Sequence, residues 1–390
     1  MKRSLQLPVL LILIAALGFM VKLRADAREP SGGSIRPASA ISQSEALPEE
    51  TASAEAAPEA TPAPEPRSFL ISVIGDQTLT SHQFLGDASP YSYASRMNGD
   101  YAFPFSNTVS YFENDDFTIS NLECTLSDKK LQSAQQFYFR APKDYANILL
   151  EGGVDFVTTA NNHMLDFGQE GLDETWATLE EKQISYGKED QAQVLTTDSG
   201  LKIGVYCAYN DFTPDKDRAA AAIRQMREDG AEYVICAYHW GQELYYHPND
   251  KQIDIGHAAI DAGADLVYGT HTHCLQPIEE YHGGVILYSM GNWSFGGSSN
   301  PTDHDTAIVQ LTVRRDADGS IHNEGYTIVP CCVSSRPVKE GYVGDGYNDY
   351  CPTPYTEGSN AYKRVLSKLD GSFKAASEGR DYSDIYASYG

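Results

Sequence analysis

The sequence predicts an α/β domain that occupies most of the 390 residues. Short apolar runs with the composition of buried strands recur along the chain, and amphipathic or glycine-terminated segments separate them. Such an alternation of strands and helices is typical of α/β folds. Several apolar runs end in Asp, Glu, Asn or His. Because ligands in these folds bind beyond the carboxyl ends of the strands, the polar ends indicate a functional site.

Five strand-like runs carry these polar ends. They are residues 69–74 before Gly75-Asp76, 116–120 before Asn121-Leu122-Glu123, 154–160 before Asn161-Asn162-His163, 233–238 before His239-Trp240-Gly241, and 264–268 before Gly269-Thr270-His271-Thr272-His273. On an extended backbone, side chains at i and i+2 project to the same side, so His271 and His273 can serve one site. Imidazole is a common ligand of Zn, Mn and Fe. The strand ends therefore predict a metal site.

The remaining elements follow from periodicity and from glycines that end helices. After a loop at residues 85–101, helices are predicted at 104–114, 146–151, 171–182, 216–228 and 253–262, and further strands at 201–207, 285–288 and 307–313. We see no internal repeat. Residues 331–390 are rich in Tyr, Gly and Asp and weakly periodic, so we expect an extension that packs on the domain surface.

Residues 1–26 are interpreted as a membrane segment. Residues 5–21 are almost wholly apolar and are flanked by Lys2, Arg3, Lys22 and Arg24. This length is near the lower limit for a membrane span. The positive charges after the apolar run disfavour cleavage at residues 25–27, so we favour an uncleaved signal anchor over a cleaved signal peptide. A single-pass protein of the cell membrane with an extracytoplasmic domain is expected.

Residues 27–66 are predicted to form a disordered linker. They contain no aromatic residue and consist largely of Ala, Pro, Glu and Ser. Such a segment cannot bury enough apolar surface to offset its ordering entropy. Its proline-rich end is expected to be semi-extended and to hold the domain away from the membrane.

The formal net charge of −25 excludes one class of partner and constrains another. Nucleic acids are bound mainly through Lys and Arg that neutralise phosphates, so we expect no nucleic-acid partner. A bulk polyanion is also repelled. An anionic substrate must therefore be met locally, and metal ions are the obvious means. Solubility of an exposed protein is the alternative explanation of the charge.

The seven cysteines do not predict a structural zinc site, because no CxxC pair occurs. Cys207 and Cys236 lie in apolar strands and are expected to be inert core residues. Outside the cell, Cys331 or Cys332 could form a disulfide with Cys351. The sequence alone does not decide whether this disulfide forms.

Taken in order, the strand-end motifs resemble the CapA family of capsule and poly-γ-glutamate synthesis proteins. The resemblance extends from about residue 69 to 297 and includes two later runs. These are Leu275-Gln276-Pro277-Ile278-Glu279 and Tyr288-Ser289-Met290-Gly291-Asn292-Trp293. CapA domains resemble calcineurin-like metallophosphoesterases, which hold two metals on a four-layer α/β/β/α sandwich. The resemblance thus implies a sandwich of the metallo-dependent phosphatase type over residues 67–330.

The resemblance also implies a role for each site residue. Asp76 and His273 would bind one divalent ion, Glu123 would bridge, and Asn162, His239 and His271 would bind a second. His163 would donate a proton to the leaving group, and Asp166 would either orient His163 or cap the helix that follows. One or two Mn, Zn or Fe ions are expected. Four neighbours are assigned to substrate binding: Asn161, Trp240, Glu243 and Asn292.

Two departures from the phosphatase pattern weaken one metal site. Gln77 and Thr78 follow Asp76 where phosphatases carry Asp-x-His, and the bridging position is Glu123 rather than Asp. A mononuclear or weakly occupied centre is therefore an alternative. His82 could supply a ligand, although a surface loop position is the simpler interpretation.

Three functional hypotheses follow. The first is a metal-dependent hydrolase that acts at the cell surface on a phosphoester or an amide-linked anionic polymer. The second is a non-hydrolytic partner of membrane polymer-synthase subunits. The third is a structural surface protein with a vestigial site. The choice depends on the site rather than on the fold.

Overall fold

The computed structural model describes residues 65–133, 135–336 and 348–375. The predicted signal anchor, nearly all of the predicted linker and residues 376–390 lie outside these ranges. Within the described ranges, no helix combines the length and apolar character that a membrane crossing requires.

Sixteen strands and six α-helices are formed by the described residues. The strands are β1 (Arg67–Thr78), β2 (Phe117–Leu122), β3 (Thr125–Leu126), β4 (Arg140–Ala141), β5 (Phe156–Thr158), β6 (Ser185–Gly187), β7 (Gln191–Thr196), β8 (Lys202–Ala208), β9 (Tyr233–His239), β10 (Leu266–Thr270), β11 (Ile278–Tyr281), β12 (Gly284–Leu287), β13 (Asn292–Phe295), β14 (Asp305–Arg315), β15 (Ile321–Cys332) and β16 (Thr353–Pro354). The helices are α1 (Tyr93–Met97), α2 (Ala146–Glu151), α3 (Gly168–Glu181), α4 (Lys216–Glu228), α5 (Asp250–Asp261) and α6 (Asn360–Leu369).

Most strands belong to two sheets. The larger has the order β16-β15-β14-β1-β2-β5-β6, with β13 paired to β1, and the smaller has the order β11-β12-β10-β9-β8-β7. Strands β1, β2, β5 and β6 are parallel, and so are β8, β9, β10 and β12. The parallel strands of each sheet therefore bring their carboxyl ends to one edge.

Three apolar clusters define four layers. Residues of both sheets, among them Val73 of β1 and Ile235 of β9, form the cluster between the sheets. On the outer face of the larger sheet, Leu149 of α2 and Leu179 of α3 pack together with sheet residues. Helices α4 and α5 cover the outer face of the smaller sheet. The fold is the predicted α/β/β/α sandwich. Strands β9 and β10 are buried along their whole length, which explains their continuous apolar sequences.

One predicted helix is wrong. Residues 104–114 contain two short 3₁₀ turns, Phe103–Phe105 and Val109–Tyr111, instead of an α-helix. The hydroxyl of Ser106 donates to the carbonyl of Phe103 at 2.9 Å, and that of Thr108 donates to the carbonyl of Phe105 at 3.3 Å. Such local side-chain bonds compete with a continuous helix.

The described part of residues 331–390 is integral to the domain rather than a cover on its surface. Strand β15 runs through the predicted boundary at residue 330, and β16 pairs with it. Val365 and Leu369 of α6 are buried in the cluster between the sheets. Extension and domain therefore share one core.

A buried ion cluster connects α6 to the start of β14. The ammonium of Lys368, 2% exposed, lies 2.7 Å from a carboxylate oxygen of Asp303 and 2.7 Å from one of Asp305. Arg364 donates to Asp305 from Nε at 2.7 Å. Full pairing with hydrogen bonds is what a buried charge requires. The cluster fixes the segment that precedes β14.

All seven cysteines are free thiols in buried positions. The disulfide considered for Cys351 is not formed, and its sulfur lies 3.4 Å from Oγ of Ser106. Burial raises the pKa of the Cys207 and Cys236 thiols to about 12, which agrees with inert core residues.

Candidate metal centre

The polar residues predicted at the strand ends meet at one edge of the sandwich. Asp76 lies in β1, and Glu123 directly follows the neighbouring β2. From the other sheet, His239 ends β9 and His271 follows β10. The site therefore spans both sheets, and each sheet contributes its parallel carboxyl ends.

Two groups of side chains are arranged so that each could hold a divalent ion. Glu123, His239 and His271 form one group, and Asp76, Glu123 and His273 form the other, with all ligand atoms of a group within 4.8 Å of one another. Glu123 belongs to both groups. Carboxylate oxygens and imidazole nitrogens are the donor set expected for Zn, Mn or Fe.

Unpartnered polar atoms in the site support the fit to a cation. Neither carboxylate oxygen of Glu123 has a hydrogen-bond partner among the described residues, and Nδ1 of His271 has none either. Glu123 is completely buried. Buried polar groups are normally hydrogen-bonded, and a buried carboxylate without a partner is expensive. A bound cation would satisfy these atoms at once.

The pKa values of the candidate ligands are shifted in the directions that burial away from solvent produces. Burial raises the pKa of Glu123 well above its ordinary value, and the nearby carboxylates of Asp76, Glu243 and Asp166 add to the rise. Burial also raises the pKa of Asp76, against the lowering effect of His273. Burial lowers the pKa of His239 well below its usual value, as neighbouring histidines also do. Neutral imidazoles are the form that binds metal.

The two histidines of the Thr270-His271-Thr272-His273 segment do not lie on an extended backbone. Strand β10 ends at Thr270, and φ is 95° at His271 and 52° at His273. The expectation that both rings project to one side of a strand is therefore wrong. The rings, with centroids 6.0 Å apart, belong to different groups of the same site.

Hydrogen bonds from neighbouring side chains fix the orientation of the histidines. Nδ1 of His239 lies 3.0 Å from Oγ1 of Thr270, and its Nε2 lies 2.8 Å from Oδ1 of Asn162. Nδ1 of His273 lies 2.9 Å from Oδ1 of Asn292. Both ring nitrogens of His239 and Nδ1 of His273 thus have polar neighbours, and such neighbours set the orientation of a metal-binding imidazole.

Asn121 is a site residue that the sequence reasoning missed. Its Nδ2 donates to Oδ1 of Asp76 at 2.8 Å and lies 3.4 Å from Nδ1 of His239. Asn121 precedes Glu123 by two positions at the end of β2. The strand periodicity of two could therefore have indicated it.

His163 and Asp166 form a hydrogen-bonded pair at the cavity wall. Nδ1 of His163 lies 2.9 Å from Oδ2 of Asp166, which also accepts the backbone N–H of Phe139 at 2.8 Å. The helix that follows, α3, begins at Gly168 with Phe167 at its N-cap and no side-chain cap. Of the two roles considered for Asp166, the structure shows orientation of His163.

A cavity of about 530 Å³ opens over the site. Asn162, His163 and His273 line it, as do the predicted substrate contacts Glu243 and Asn292. Thus His273 of one candidate metal group and the candidate proton donor His163 face the same space.

Two predicted substrate contacts are corrected by the structure. Trp240 is completely buried, and its indole N–H donates to the carbonyl of Tyr288 at 2.9 Å. Asn161 is 1% exposed and donates from Nδ2 to Oδ1 of Asn121 at 3.0 Å. Neither side chain lines the cavity. The first packs under the helices of the smaller sheet, and the second holds the loop after β5.

The residues near Asp76 that could have replaced the missing histidine do not join either group. Nε2 of Gln77 donates to Oγ of Ser120 at 2.5 Å, and the hydroxyl of Thr78 donates to the carbonyl of Glu123 at 3.3 Å. His82 lines the cavity but lies outside the two groups found among the described residues. The group around Asp76 therefore has three ligands of this kind.

A strained loop covers the other group. Asn210, Asp211 and Phe212, after β8, have φ of 40°, 52° and 63°. Left-handed backbone costs a non-glycine residue about 1–2 kcal/mol, and such strain clusters at functional sites. The Phe212 ring lies against His271 with centroids 4.3 Å apart. His271 is only 4% exposed.

Comparison with known proteins identifies similar chains. Residues 71–296 match the family described as "Bacterial capsule synthesis protein PGA_cap". The chain is 28% identical over 266 residues to the PGA biosynthesis protein CapA of Bacillus subtilis, covering 61% of this chain and 69% of that protein. It is 28% identical over 247 residues to the capsule biosynthesis protein CapA of Bacillus anthracis, covering 56% of this chain and 59% of that protein.

Among solved structures, the NAD nucleotidase of Haemophilus influenzae is similar with a TM-score of 0.42 and 14% identity. The match covers 83% of this chain and 60% of the nucleotidase.

Proposed function

The chain belongs to the PGA_cap family of bacterial capsule synthesis proteins, and we propose from this premise that it acts in the synthesis or export of a capsular or poly-γ-glutamate polymer as a metal-dependent hydrolase. The names of its relatives support the pathway. The arrangement of the strand ends supports the chemistry.

The observation that carries the proposal is that the buried carboxylate of Glu123 lacks a hydrogen bond within the described part of the chain. Its carboxylate is buried, has no hydrogen bond and belongs to both candidate metal groups. Asp76 and His273 would hold one ion with it, and His239 and His271 the other, with Asn162 beside the second. Divalent ions held there supply Lewis-acid polarisation of a phosphoryl or carbonyl oxygen.

The remaining steps belong to the side chains of the chain itself. His163 is placed at the cavity wall with Nδ1 on Asp166, so its Nε2 is the nitrogen that would give a proton to the leaving group. Histidine is the side chain most often used in this way. Asp166 would hold the ring in this orientation through its hydrogen bond to Nδ1.

A second candidate function is that of a non-catalytic, metal-dependent partner of a membrane polymer synthase. The observation that favours it is that the group around Asp76 has three ligands of this kind, with Gln77 and Thr78 in the positions where phosphatases carry a further histidine. A weakly held ion there would bind an anionic group without driving hydrolysis.

We further propose that the domain is held outside the cytoplasmic membrane by residues 1–26. The support is the apolar run at residues 5–21 with its flanking positive charges. Protease added to intact cells is expected to cut within residues 27–66 and release the folded domain. Protection in intact cells with digestion after lysis would contradict this location.

The function is tested by comparing His163→Ala with His239→Ala. Hydrolysis of phosphomonoesters, phosphodiesters and γ-glutamyl polymer with added Mn or Zn is measured alongside polymer production in cells. For a hydrolase, His163→Ala keeps its metal and loses about 10²–10⁴-fold in turnover, and His239→Ala loses both.

The matched control is His257→Ala, because His257 also pairs with a carboxylate, Glu279, at 3.0 Å but lies outside the cavity. It is expected to retain metal, turnover and polymer. If polymer production survives His163→Ala but fails with His239→Ala, the accessory function replaces the hydrolase.

A further inference from the structure

Among the described residues that line the cavity over the candidate metal centre, none is Lys or Arg, whereas Glu243 and Asp166 are acidic. The chain as a whole has a net charge of −25. Ions at the floor would therefore be the principal positive charges that an anionic ligand meets in this space.

Part of the cavity lining is formed by phenylalanine rings. Phe84 is 64% exposed, the most exposed large apolar side chain among the described residues, and it lies edge-on to Phe137 with centroids 6.2 Å apart. Phe139 packs against His163, and Phe295 packs against His273, with centroids 4.6 and 4.8 Å apart. All four rings line the cavity, and together Phe84, Phe137, Phe139 and Phe295 form what we call the phenylalanine wall. Two of these rings are therefore in contact with the candidate proton donor and with a candidate metal ligand.

We propose that the cavity binds a ligand with one anionic group at the floor and an uncharged, apolar or planar body along the phenylalanine wall, and that it discriminates against a run of anionic groups. The placement of the anionic group rests on the proposed metal function. The preference for the body rests on the wall alone.

The discrimination follows from charge. A single phosphoryl or carboxyl group at the floor would face the ions, whereas each further anionic group would lie in a space that holds Glu243 and four phenyl rings and no described Lys or Arg. Lining amides such as those of Gln135 and Gln136 can donate hydrogen bonds to such a group, but they carry no charge that would offset the repulsion from Glu243. An extended polyanion is thus a poor ligand, and one end of a chain or an ester with an apolar substituent is a good one.

The test measures binding of phosphonates, which are not hydrolysed, to the full chain loaded with Mn. Calorimetry compares phenylphosphonate with methylphosphonate. Phenylphosphonate is expected to bind about tenfold or more tightly, because burial of a phenyl ring in an apolar site is strongly favourable. Equal affinities, or no binding of either, would overturn the proposal.

Two variants locate the preference. Phe84→Ala is expected to reduce the phenyl preference about fivefold, whereas Leu150→Ala has no effect. Leu150 is the matched control because it is 46% exposed, lies on α2 and is not part of the cavity lining. A loss of preference in both variants, or in neither, contradicts the assignment to the wall.

Discrimination against anionic runs is tested with γ-glutamyl oligomers. Affinity is expected to stay constant from the monomer to a decamer, and Glu243→Gln is expected to improve binding of the longer oligomers severalfold. Affinity of the wild type that rises with oligomer length would contradict this part of the proposal.

These outcomes are separable from failure of the proposed function. A chain that binds phenylphosphonate selectively but hydrolyses no ester retains the ligand preference and loses the hydrolase assignment. A chain that hydrolyses esters without preferring apolar substituents retains the function and loses the inference.

Discussion

Oε1 of Glu123 lies 3.5 Å from Nε2 of His239. Neither this contact nor any other among the described residues gives the carboxylate a hydrogen bond. A fully buried carboxylate in that state is unfavourable in a folded protein. A bound cation would remove this cost. Metal content, stability and metal affinity each test whether one binds.

The first prediction concerns metal content. The purified chain is expected to hold one or two Mn, Zn or Fe ions after reconstitution, and the double variant His271→Ala, His273→Ala is expected to lose them, because each candidate group then lacks a ligand. Elemental analysis measures both.

The matched control is His257→Ala, His282→Ala, which removes two histidines that pair with surface carboxylates instead. It should keep its metal. A reconstituted wild type without metal, or equal metal content in all three proteins, would show that the site does not bind ions.

The second prediction concerns Glu123→Gln and stability. In chelator at pH 8, the variant is expected to be more stable than the wild type by about 1–3 kcal/mol, because it removes a buried carboxylate that has no hydrogen bond from the described residues. With Mn present the order should reverse, since the wild type gains binding free energy that the variant lacks. Thermal unfolding under both conditions checks this.

The pH dependence of that difference has a definite sign. Burial, followed by Asp76, raises the pKa of Glu123 in the folded protein, so the charged form costs stability above the unfolded pKa of about 4.3. The advantage of Glu123→Gln in chelator should therefore be full at high pH and vanish as the pH falls towards 4.3. An advantage that grows at low pH would mean that another group is responsible.

The third prediction concerns Asn292, whose Oδ1 lies 2.9 Å from Nδ1 of His273. Asn292→Ala is expected to weaken metal affinity about 10–100-fold by releasing the ring. Asn292→Asp should restore it, because a carboxylate oxygen can hold the ring in the same place. Chelator competition measures the affinity. Equal affinities in all three proteins would assign Asn292 to substrate contact alone.

The fourth prediction concerns the buried cluster at α6. Lys368→Met is expected to destabilise the domain by about 3–5 kcal/mol, because it leaves Asp303 and Asp305 buried with only part of their positive partners. Lys363→Met on the exposed side of the same helix should change stability by less than about 0.5 kcal/mol. Denaturant unfolding of both variants decides the matter, and similar losses would exclude a special role for Lys368.

The sequence predicted which side chains meet where they follow strand ends, since Asp76, Glu123 and His239 come together as expected. It erred at Trp240 through neglect of the same periodicity. Successive residues of a strand face opposite sides, so the residue after His239 must point away from the site. The periodicity that excludes Trp240 also includes Asn121.

Other features were not readable from local patterns. Residue 330 was taken as a boundary because the sequence beyond it is weakly periodic, yet Val365 and Leu369 complete the core between the sheets. The positive φ at His271 also escaped prediction, because its local sequence does not reveal the contact of its backbone N–H with Oδ2 of Asp76 at 3.2 Å, which joins residues far apart in the chain.

The ring of Phe212 gives the two candidate groups unequal access to solvent. An ion held by Glu123, His239 and His271 would lie beneath this ring and its strained loop, whereas an ion beside His273 would face the open cavity. We expect that release of an ion from this group would require movement of the loop. A chelator would therefore strip the two ions in two kinetic phases, and Phe212→Ala would merge them into one.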